Sequence, residues 1–364
     1  MEQGAEGADR SEHLIGVDAL MSLTSECFER VGLPSEDARA VADVLIDANL
    51  HGVASHGFQR VPIFMKRVHA GLAGGTEHLS VLAESGAVCR MDAAHALGPA
   101  ASVKALDHAL VLARRLGTGV VAVGRSTHFG AAGYYARRAA SAGMVSVVSS
   151  NAFKRMAPHG SAEVFLGTNP LAIGIPLADR DPFVLDMATS IAAQGRITRA
   201  RQMGEEIPLG LALDPEGRPT SDPSAALAGS LLPVGGPKGS GLALALGLLS
   251  VMLAGADSDD EMASLYKSFD RPQNTGHVFI AIDAARFGAG VEPAREMIER
   301  LTALRPSEGS SAVEYPGQAG ARLARLRRQG GIPIAPEELL DVIDTLSAFG
   351  LADVAERAAA LVRR

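Results

Sequence analysis

The sequence has no tryptophan, and aromatic residues make up only 4% of its 364 positions. Surfaces that bind single-stranded nucleic acid stack the bases on aromatic side chains, so this composition offers little for such a surface. The formal net charge of -7 is also unfavourable for a partner with a phosphate backbone. Both observations predict that nucleic acid is not a partner of this protein.

Cysteine is also rare: Cys27 and Cys89 are the two in the chain, and neither belongs to a metal-binding pattern. No group of His, Cys and Glu has the spacing of a catalytic zinc site, so we predict no metal. Cysteines in segments with helical and strand patterns are typical of buried, reduced thiols, which favours a cytoplasmic location. Residues 1–12 are polar and lack an apolar run, which predicts a disordered start and not a signal peptide.

Long hydrophobic runs are absent as well. The strongly apolar stretch at residues 241–256, GLALALGLLSVMLAGA, has sixteen residues, whereas a membrane-spanning helix needs roughly 20. We therefore expect this stretch to form a buried core helix, and we expect no association with a membrane.

The spacing of apolar residues predicts an α/β protein. Residues 35–50 carry a helical stripe, a second stripe with the i, i+3, i+4, i+7 pattern begins at Val61, and residues 119–124 (GVVAVG) have the β-branched composition of a strand. Strand and helix patterns alternate through the middle of the chain, and helical patterns dominate both ends. We divide the chain into a central α/β part at 118–288 and a peripheral helical part at 13–117 and 289–364.

The segment HGVASHGFQR, residues 51–60, lies between the two helical stripes and holds two of the ten histidines. Histidine can act as a general acid near neutral pH, and a guanidinium binds a carboxylate through two hydrogen bonds. If the second helix starts by Ser55, the side chains of His56 and Arg60 project from one face, and Ser55 could orient the imidazole. The ordinary alternative is a loop histidine and a surface arginine without a role in function.

A second histidine, His128, follows a predicted strand and precedes a predicted helix in STHFGAAGYYA. Free backbone N–H groups and the helix dipole attract anions there, and Gly130 and Gly133 would let a ligand come close. The segment lacks the third glycine of a GxGxxG fingerprint, so a Rossmann fold is not predicted.

Two further segments have a functional and an ordinary interpretation. In LPVGGPKGSGLA, Lys238 precedes a glycine and a serine, whereas a P-loop has the order Gly-Lys-Ser/Thr. Hydrolysis of a nucleoside triphosphate is therefore not predicted. On this glycine-rich loop Lys238 either contacts a phosphate or is a solvated lysine in a turn. Asp186 ends the predicted strand FVLDM and equally fits the N-cap of a helix.

Taken together and in this order, the motifs resemble those of the malate/L-lactate dehydrogenase family, which is unrelated to the Rossmann-type lactate and malate dehydrogenases. The resemblance extends from about residue 13 to residue 350. The motifs that carry it are SHGFQR (55–60), HFGAAGYYA (128–136), APHGSAE (157–163), LGTNPLA (166–172), LDMATS (185–190), LLPVGGPKGSGLA (231–243) and PGQ (316–318).

The resemblance implies a non-Rossmann mixed β-sheet in the central part and a homodimer of intertwined subunits. It implies an oxidoreductase that transfers a hydride between NAD or NADP and a small 2-hydroxy or 2-oxo carboxylic acid. By analogy His56 is the proton donor and acceptor, Ser55 its relay partner and Arg60 the carboxylate anchor, and His128 is catalytic in some members. The cofactor contacts that the resemblance implies are His128, Phe129, Gly130, Ala131, Asn151, Asp186, Met187, Ala188, Lys238, Pro316, Gly317 and Gln318.

Three alternatives remain open from the sequence. Some members of the family reduce cyclic imine carboxylates with NADPH, but Arg196 stands where those members have an acidic residue, which favours a hydroxy/oxo acid pair. A non-catalytic ligand-binding protein of the same fold would not need His56, Arg60 and His128 to meet in one cleft. A hydrolase that uses Ser55 and His56 is disfavoured because adjacent side chains do not easily pair and no G-x-S-x-G segment occurs.

Overall fold

The computed structural model describes residues 12–362, so the segment predicted to be disordered lies outside the described residues except for Glu12. The strands are β1 (His13–Ile15), β2 (Ser80–Ser85), β3 (Val88–Asp92), β4 (Thr118–Ser126), β5 (Met144–Ser150), β6 (Leu171–Ile175), β7 (Phe183–Met187), β8 (Ala212–Leu213), β9 (Ser230–Leu231), β10 (Thr275–Asp283) and β11 (Ile332–Ile334).

The helices follow the capping and turn signals of the sequence, and six of the described helices have a proline in the first turn. They are α1 (Val17–Arg30), α2 (Ser35–Leu50), α3 (Val61–His69), α4 (Gly98–Leu116), α5 (Ala132–Ser141), α6 (Gln194–Met203), α7 (Pro223–Ala228), α8 (Pro237–Leu249), α9 (Glu292–Thr302), α10 (Gln318–Gly330), α11 (Pro336–Ala348) and α12 (Ala352–Val362).

A mixed sheet lies at the centre of the described part of the chain, with strand order β2-β3-β4-β10-β5-β6-β7. The β3–β4 pair is parallel, and the other neighbours are antiparallel. Helices α4 and α5 cover one face and bury a core with Leu106, Tyr135 and Phe279. The β-branched run at residues 119–124 therefore becomes a central strand, and the predicted non-Rossmann α/β fold class is confirmed.

Both ends of the chain contribute to one helical core. Leu20, Leu45 and Phe64 from the first part pack with Leu339 and Leu346 from the last part, and β1 pairs with β11. Strands β2 and β3 and helix α4 fall within the range 13–117, yet they join the central sheet. The division of the chain into domains stays a prediction.

The apolar segment of α8 is not a buried core helix, so that prediction is wrong. Helix α8 continues through one π-helical turn, and the combined helix Pro237–Ala254 is long and apolar enough to cross a membrane, with 33% of it buried. Ala243 and Leu246 face inward, while Leu244, Leu248 and Met252 form an exposed stripe at four-residue spacing. A helix that is apolar on all sides gives no periodic signal of which face is covered.

Candidate active site

The segment between α2 and α3 is held by the end of α2. Asn49 is buried, and its side-chain oxygen accepts a hydrogen bond of 2.6 Å from the backbone N–H of Phe58. A Cβ atom on Gly57 would overlap the Asn49 amide, so glycine is required for this close approach. Two 3-10 turns, Ala54–His56 and Phe58–Arg60, follow from this constraint before α3 begins at Val61.

The condition that the second helix starts by Ser55 is not met, because α3 begins six residues later. His56 and Arg60 nevertheless remain on one side of the segment, since the Arg60 Nε–H donates to the backbone carbonyl of Ser55 at 2.7 Å. This hydrogen bond leaves both terminal nitrogens of the Arg60 guanidinium without a protein partner among residues 12–362.

The structure brings His56 and His128 together, although they are distant in sequence. Their rings are stacked with centroids 5.5 Å apart and an interplanar angle of 22°, and Phe64 lies 5.8 Å from His128. The His128 Nδ1 accepts the Gly130 N–H at 3.2 Å, which leaves the proton of the neutral ring on Nε2. His56, His128 and Arg60 therefore lie close together, which is the arrangement that the alternative of a non-catalytic binding protein would not need.

Ser55 Oγ lies 3.0 Å from His56 Nδ1, within hydrogen-bond distance. The argument that adjacent side chains do not easily pair is therefore wrong for this turn. The remaining ring nitrogen of His56, Nε2, has no hydrogen-bond partner within the described residues.

Burial shifts the protonation of this group. Desolvation, and then the positive charge of Arg60, lower the pKa of His56 from 6.5 to about 4. Desolvation also lowers the pKa of His128, with further contributions from His56, Arg60 and His277. Burial lowers the pKa of Arg60 to about 10, and the charge of Glu338 opposes this shift. At neutral pH Arg60 is therefore positively charged, and both histidines are neutral.

A third histidine supports the cleft from inside the sheet. His277 in β10 is fully buried, and its two ring nitrogens lie 2.8 Å from Ser150 Oγ and 3.0 Å from Ser126 Oγ. Its ring stacks on Phe129 at 4.5 Å, nearly parallel. Burial lowers the pKa of His277 to about 3, so this ring is neutral at neutral pH. The neutral ring packs against Phe129, the residue that follows His128.

Most of the predicted cofactor residues lie in a row along the edge strand β7. At one end Asp186 accepts the backbone N–H of Gly133 at 2.9 Å, next to the His128–Ala131 loop. At the other end the Val184 N–H donates to Pro316 in the Pro316–Gln318 turn at 3.0 Å. Two residues of strand separate these ends by roughly 7 Å.

A carboxylate of the protein occupies part of the anion site that the sequence predicts at the N-terminus of α5. The carboxylate of Asp186 already binds its Gly133 N–H, and Asp186 lies at the end of β7, before Met187 and Ala188. Asp186 therefore caps α5, a helix distant in sequence, so it has the predicted capping role and also lies beside the His128–Ala131 loop. Phe129 is buried and packs inward, so the loop offers a ligand mainly its backbone.

Two predicted cofactor residues stand in different surroundings. Asn151 is buried, and its amide donates to the Asp257 carbonyl and accepts from the Gly276 N–H, so the side chain joins two loops. Lys238 is exposed in the first turn of α8. No hydrogen bond or ion pair within residues 12–362 connects Lys238 with the histidine pair.

Sequence reasoning missed several residues of this cleft. The Arg60 guanidinium lies 5.6 Å from the centre of the Tyr266 ring, and the charge of Glu338 in α11 raises the pKa of Arg60. A Cβ atom added to Gly195, in the first turn of α6, would lie 3.6 Å from the Cβ of Ser55, so α6 begins beside the cleft. None of these residues has a local motif, and only the histidine in HVFIAID gave a signal that could have drawn attention to His277.

The described chain thus joins a mixed sheet without a Rossmann motif to a helical layer that carries two stacked histidines and the Arg60 guanidinium. The chain belongs to the malate/L-lactate dehydrogenase family, whose model matches residues 15–343. This membership confirms the predicted class, a dehydrogenase that uses NAD or NADP.

The (2R)-3-sulfolactate dehydrogenase (NADP(+)) of Chromohalobacter salexigens is 38% identical over 344 residues, 94% of this chain and 99% of the relative. The malate dehydrogenase structure from Pyrococcus horikoshii matches with a TM-score of 0.86 and 30% identity, covering 96% of this chain and 99% of that one. The Δ1-piperideine-2-carboxylate reductase structure from Pseudomonas syringae matches with a TM-score of 0.82 and 29% identity, covering 91% and 99%.

Proposed function

We propose that this enzyme interconverts a 2-hydroxy acid and the corresponding 2-oxo acid, with His56 as the proton acceptor and donor and Arg60 as the carboxylate anchor. The observation that carries the proposal is that His56, His128 and Arg60 lie in one cluster, with the ring centroids of the two histidines 5.5 Å apart. A protein that only binds a ligand needs a carboxylate anchor but no pair of neutral imidazoles beside it.

His56 is suited to take the hydroxyl proton of the substrate. Its neutral Nε2 has a free lone pair or N–H directed away from Ser55, and Ser55 Oγ at Nδ1 can relay a proton to solvent. His128 carries its proton on Nε2, so it donates a hydrogen bond to the substrate oxygen. The bound substrate carboxylate favours protonation of both rings, since an opposite charge raises a histidine pKa.

Arg60 is suited to fix the substrate. Its Nε–H is bound to the Ser55 carbonyl and its Cζ lies 5.6 Å from the centre of the Tyr266 ring, so the two terminal nitrogens form a positioned fork for a carboxylate. We propose that the cofactor lies along the β7 edge from Asp186 to the Pro316–Gln318 turn. When bound, its nicotinamide accepts or supplies the hydride at C2 of the substrate.

The lowered pKa of His56 predicts the pH dependence of the oxidation. Because neutral His56 accepts the proton, we expect kcat/KM for oxidation to be level at neutral pH and to fall as the pH decreases toward about 4. Initial rates across this range, with circular dichroism at each pH as the control for folding, measure the effect. An acidic limb with its midpoint at the ordinary value of 6.5 would contradict a desolvated His56.

We further propose that the substrate carries a second acidic group, as sulfolactate and malate do. Arg196 follows Gly195 in the first turn of α6, beside Ser55, and is exposed without an ion-pair partner in the described part of the chain. Its positive charge favours a distal sulfonate or carboxylate and not the cyclic imine of the piperideine-2-carboxylate reductase, although an imine carboxylate remains the second candidate substrate.

A panel of sulfolactate, malate, lactate, ureidoglycolate and a cyclic imine carboxylate, each assayed with both cofactors, tests the substrate class. We expect Arg196→Gln to raise KM for the diacids by about tenfold, since a charge-assisted hydrogen bond contributes about 1.5–3 kcal/mol, while lactate turnover stays unchanged. Arg199→Gln on the same helix is the matched control. Equal loss on lactate and on the diacids would contradict the role of Arg196.

We propose that the enzyme is a cytoplasmic homodimer and that the exposed stripe of α8, Leu244, Leu248 and Met252, is covered by the second subunit. The exposed apolar stripe supports the dimer, because a large exposed apolar patch on a protein with its own hydrophobic core commonly marks a contact with another protein chain. We expect Leu248→Asp with Met252→Asp to yield monomers in light scattering after size exclusion. The control is Leu304→Asp, also exposed.

Two results would contradict this assembly. A monomeric parent protein at micromolar concentration would exclude the dimer, and flotation of the parent with lipid vesicles would assign the α8 stripe to a membrane surface.

A further inference from the structure

We propose that Glu84, Cys89 and His108 form a binding site for a divalent metal ion that accepts sulfur, nitrogen and oxygen ligands, of which Zn²⁺ fits best. One donor atom from each side chain lies within 4.8 Å of the other two. The residues belong to β2, β3 and α4, and their spacing in the sequence matches no zinc motif. The prediction that the chain holds no metal considered sequence spacing alone.

The fold explains why these three side chains meet. Glu84 and Cys89 are direct partners in the antiparallel β2–β3 hairpin, so their side chains project from the same face. Helix α4 lies over that face and brings His108 Nε2 to 2.6 Å from Glu84 Oε2. The glutamate–histidine pair accounts for two members of the group, and the thiol of Cys89 adds the soft ligand that an ordinary surface ion pair lacks.

Small movements of the three donor atoms, which lie within 4.8 Å of one another, would bring them to the spacing of a zinc site. Tetrahedral Zn²⁺ with bonds of about 2.3 Å to sulfur and about 2.0–2.1 Å to nitrogen and oxygen separates its donor atoms by roughly 3.3–3.6 Å. His108 and Glu84 must therefore move apart by less than about 1 Å, which their partly exposed side chains, 28% and 37% accessible, allow. Water would complete the fourth position.

A metal at this position would have a structural consequence. All six residues of β2 are exposed, and the strand forms the edge of the sheet with β3 as its neighbour. An edge strand of this kind is prone to fraying and to pairing with other chains. A metal bound by Glu84, Cys89 and His108 would fix the hairpin to α4, which is itself packed on β4.

Titration of the purified, metal-free protein with Co²⁺ tests the site. We expect one equivalent to produce a thiolate-to-cobalt charge-transfer band, which Zn²⁺ then removes by competition. This band separates the site from the histidines of the cleft, which have no cysteine among their contacts. Absence of the band in the parent protein would overturn the proposal.

Variants test the assignment. Cys89→Ser should abolish the band and weaken Zn²⁺ binding by more than about tenfold, since even second-shell changes weaken metal sites by about 10–100-fold. Cys27→Ser, at a buried cysteine in the helical core, is the matched control and should keep the band. A band that persists in Cys89→Ser, or is lost in Cys27→Ser with folding intact, would overturn the site.

A second variant keeps the test valid if Cys89→Ser folds poorly. His108→Gln changes a helix surface and leaves the thiol in place, so we expect it to weaken Zn²⁺ binding by more than about tenfold. We also expect Zn²⁺ to raise Tm in the parent and not in His108→Gln, because a ligand that binds only the native state stabilises it. Equal affinity and an equal Tm shift in both proteins would overturn the proposal.

Discussion

We expect His56→Ala to lower turnover by about 10²- to 10⁴-fold while the cofactor Kd stays nearly unchanged. The substitution removes the group that accepts the hydroxyl proton, whereas the residues proposed to hold the cofactor lie along β7. Steady-state rates in both directions and fluorescence titration with NADH and NADPH measure the two effects separately. The expected result is a loss in kcat with an unaltered binding curve.

The control for this substitution is His69→Ala, which removes an exposed histidine of α3 that stacks on Phe349 outside the cleft. His128→Ala should behave differently, because His128 opens the loop next to Asp186 and its loss should weaken turnover and cofactor binding together. An equal loss of cofactor affinity in His56→Ala, or turnover within about threefold of the parent, would remove His56 from the proton transfer.

We expect Arg60→Lys to lower kcat/KM by on the order of 10²-fold, with KM for the 2-oxo acid raised and KM for the cofactor unchanged. Lysine keeps the positive charge but loses the guanidinium fork, the Nε–H bond to Ser55 and the guanidinium contact with the Tyr266 ring. A substrate held by one contact can swing out of line with the reacting groups, so alignment is lost even though attraction remains.

Arg39→Lys, at an exposed arginine of α2, controls for the general effect of the exchange. Kinetics with several 2-hydroxy and 2-oxo acids provide the measurement. If Arg60→Lys stays within about threefold of the parent on every active substrate, Arg60 is not the carboxylate anchor.

Local sequence predicted the elements of this cleft better than their geometry. The stripes at residues 35–50 and from Val61 give α2 and α3, and the residues between them contain the two turns that carry His56 and Arg60. Helix α3 begins late because Asn49, nine residues before Phe58, fixes the backbone at Gly57 and Phe58. This contact is not visible in the apolar periodicity.

The sequence by itself determined the α/β class, the absence of a Rossmann fingerprint and the residue types of the cleft, because these depend on local periodicity and on motifs read in order. The tertiary structure decided which residues meet. It stacked His56 on His128, set Tyr266 against Arg60, exposed one face of α8 and brought Glu84, Cys89 and His108 together. These arrangements depend on strand register and on the packing of helices from other parts of the chain, which no local pattern records.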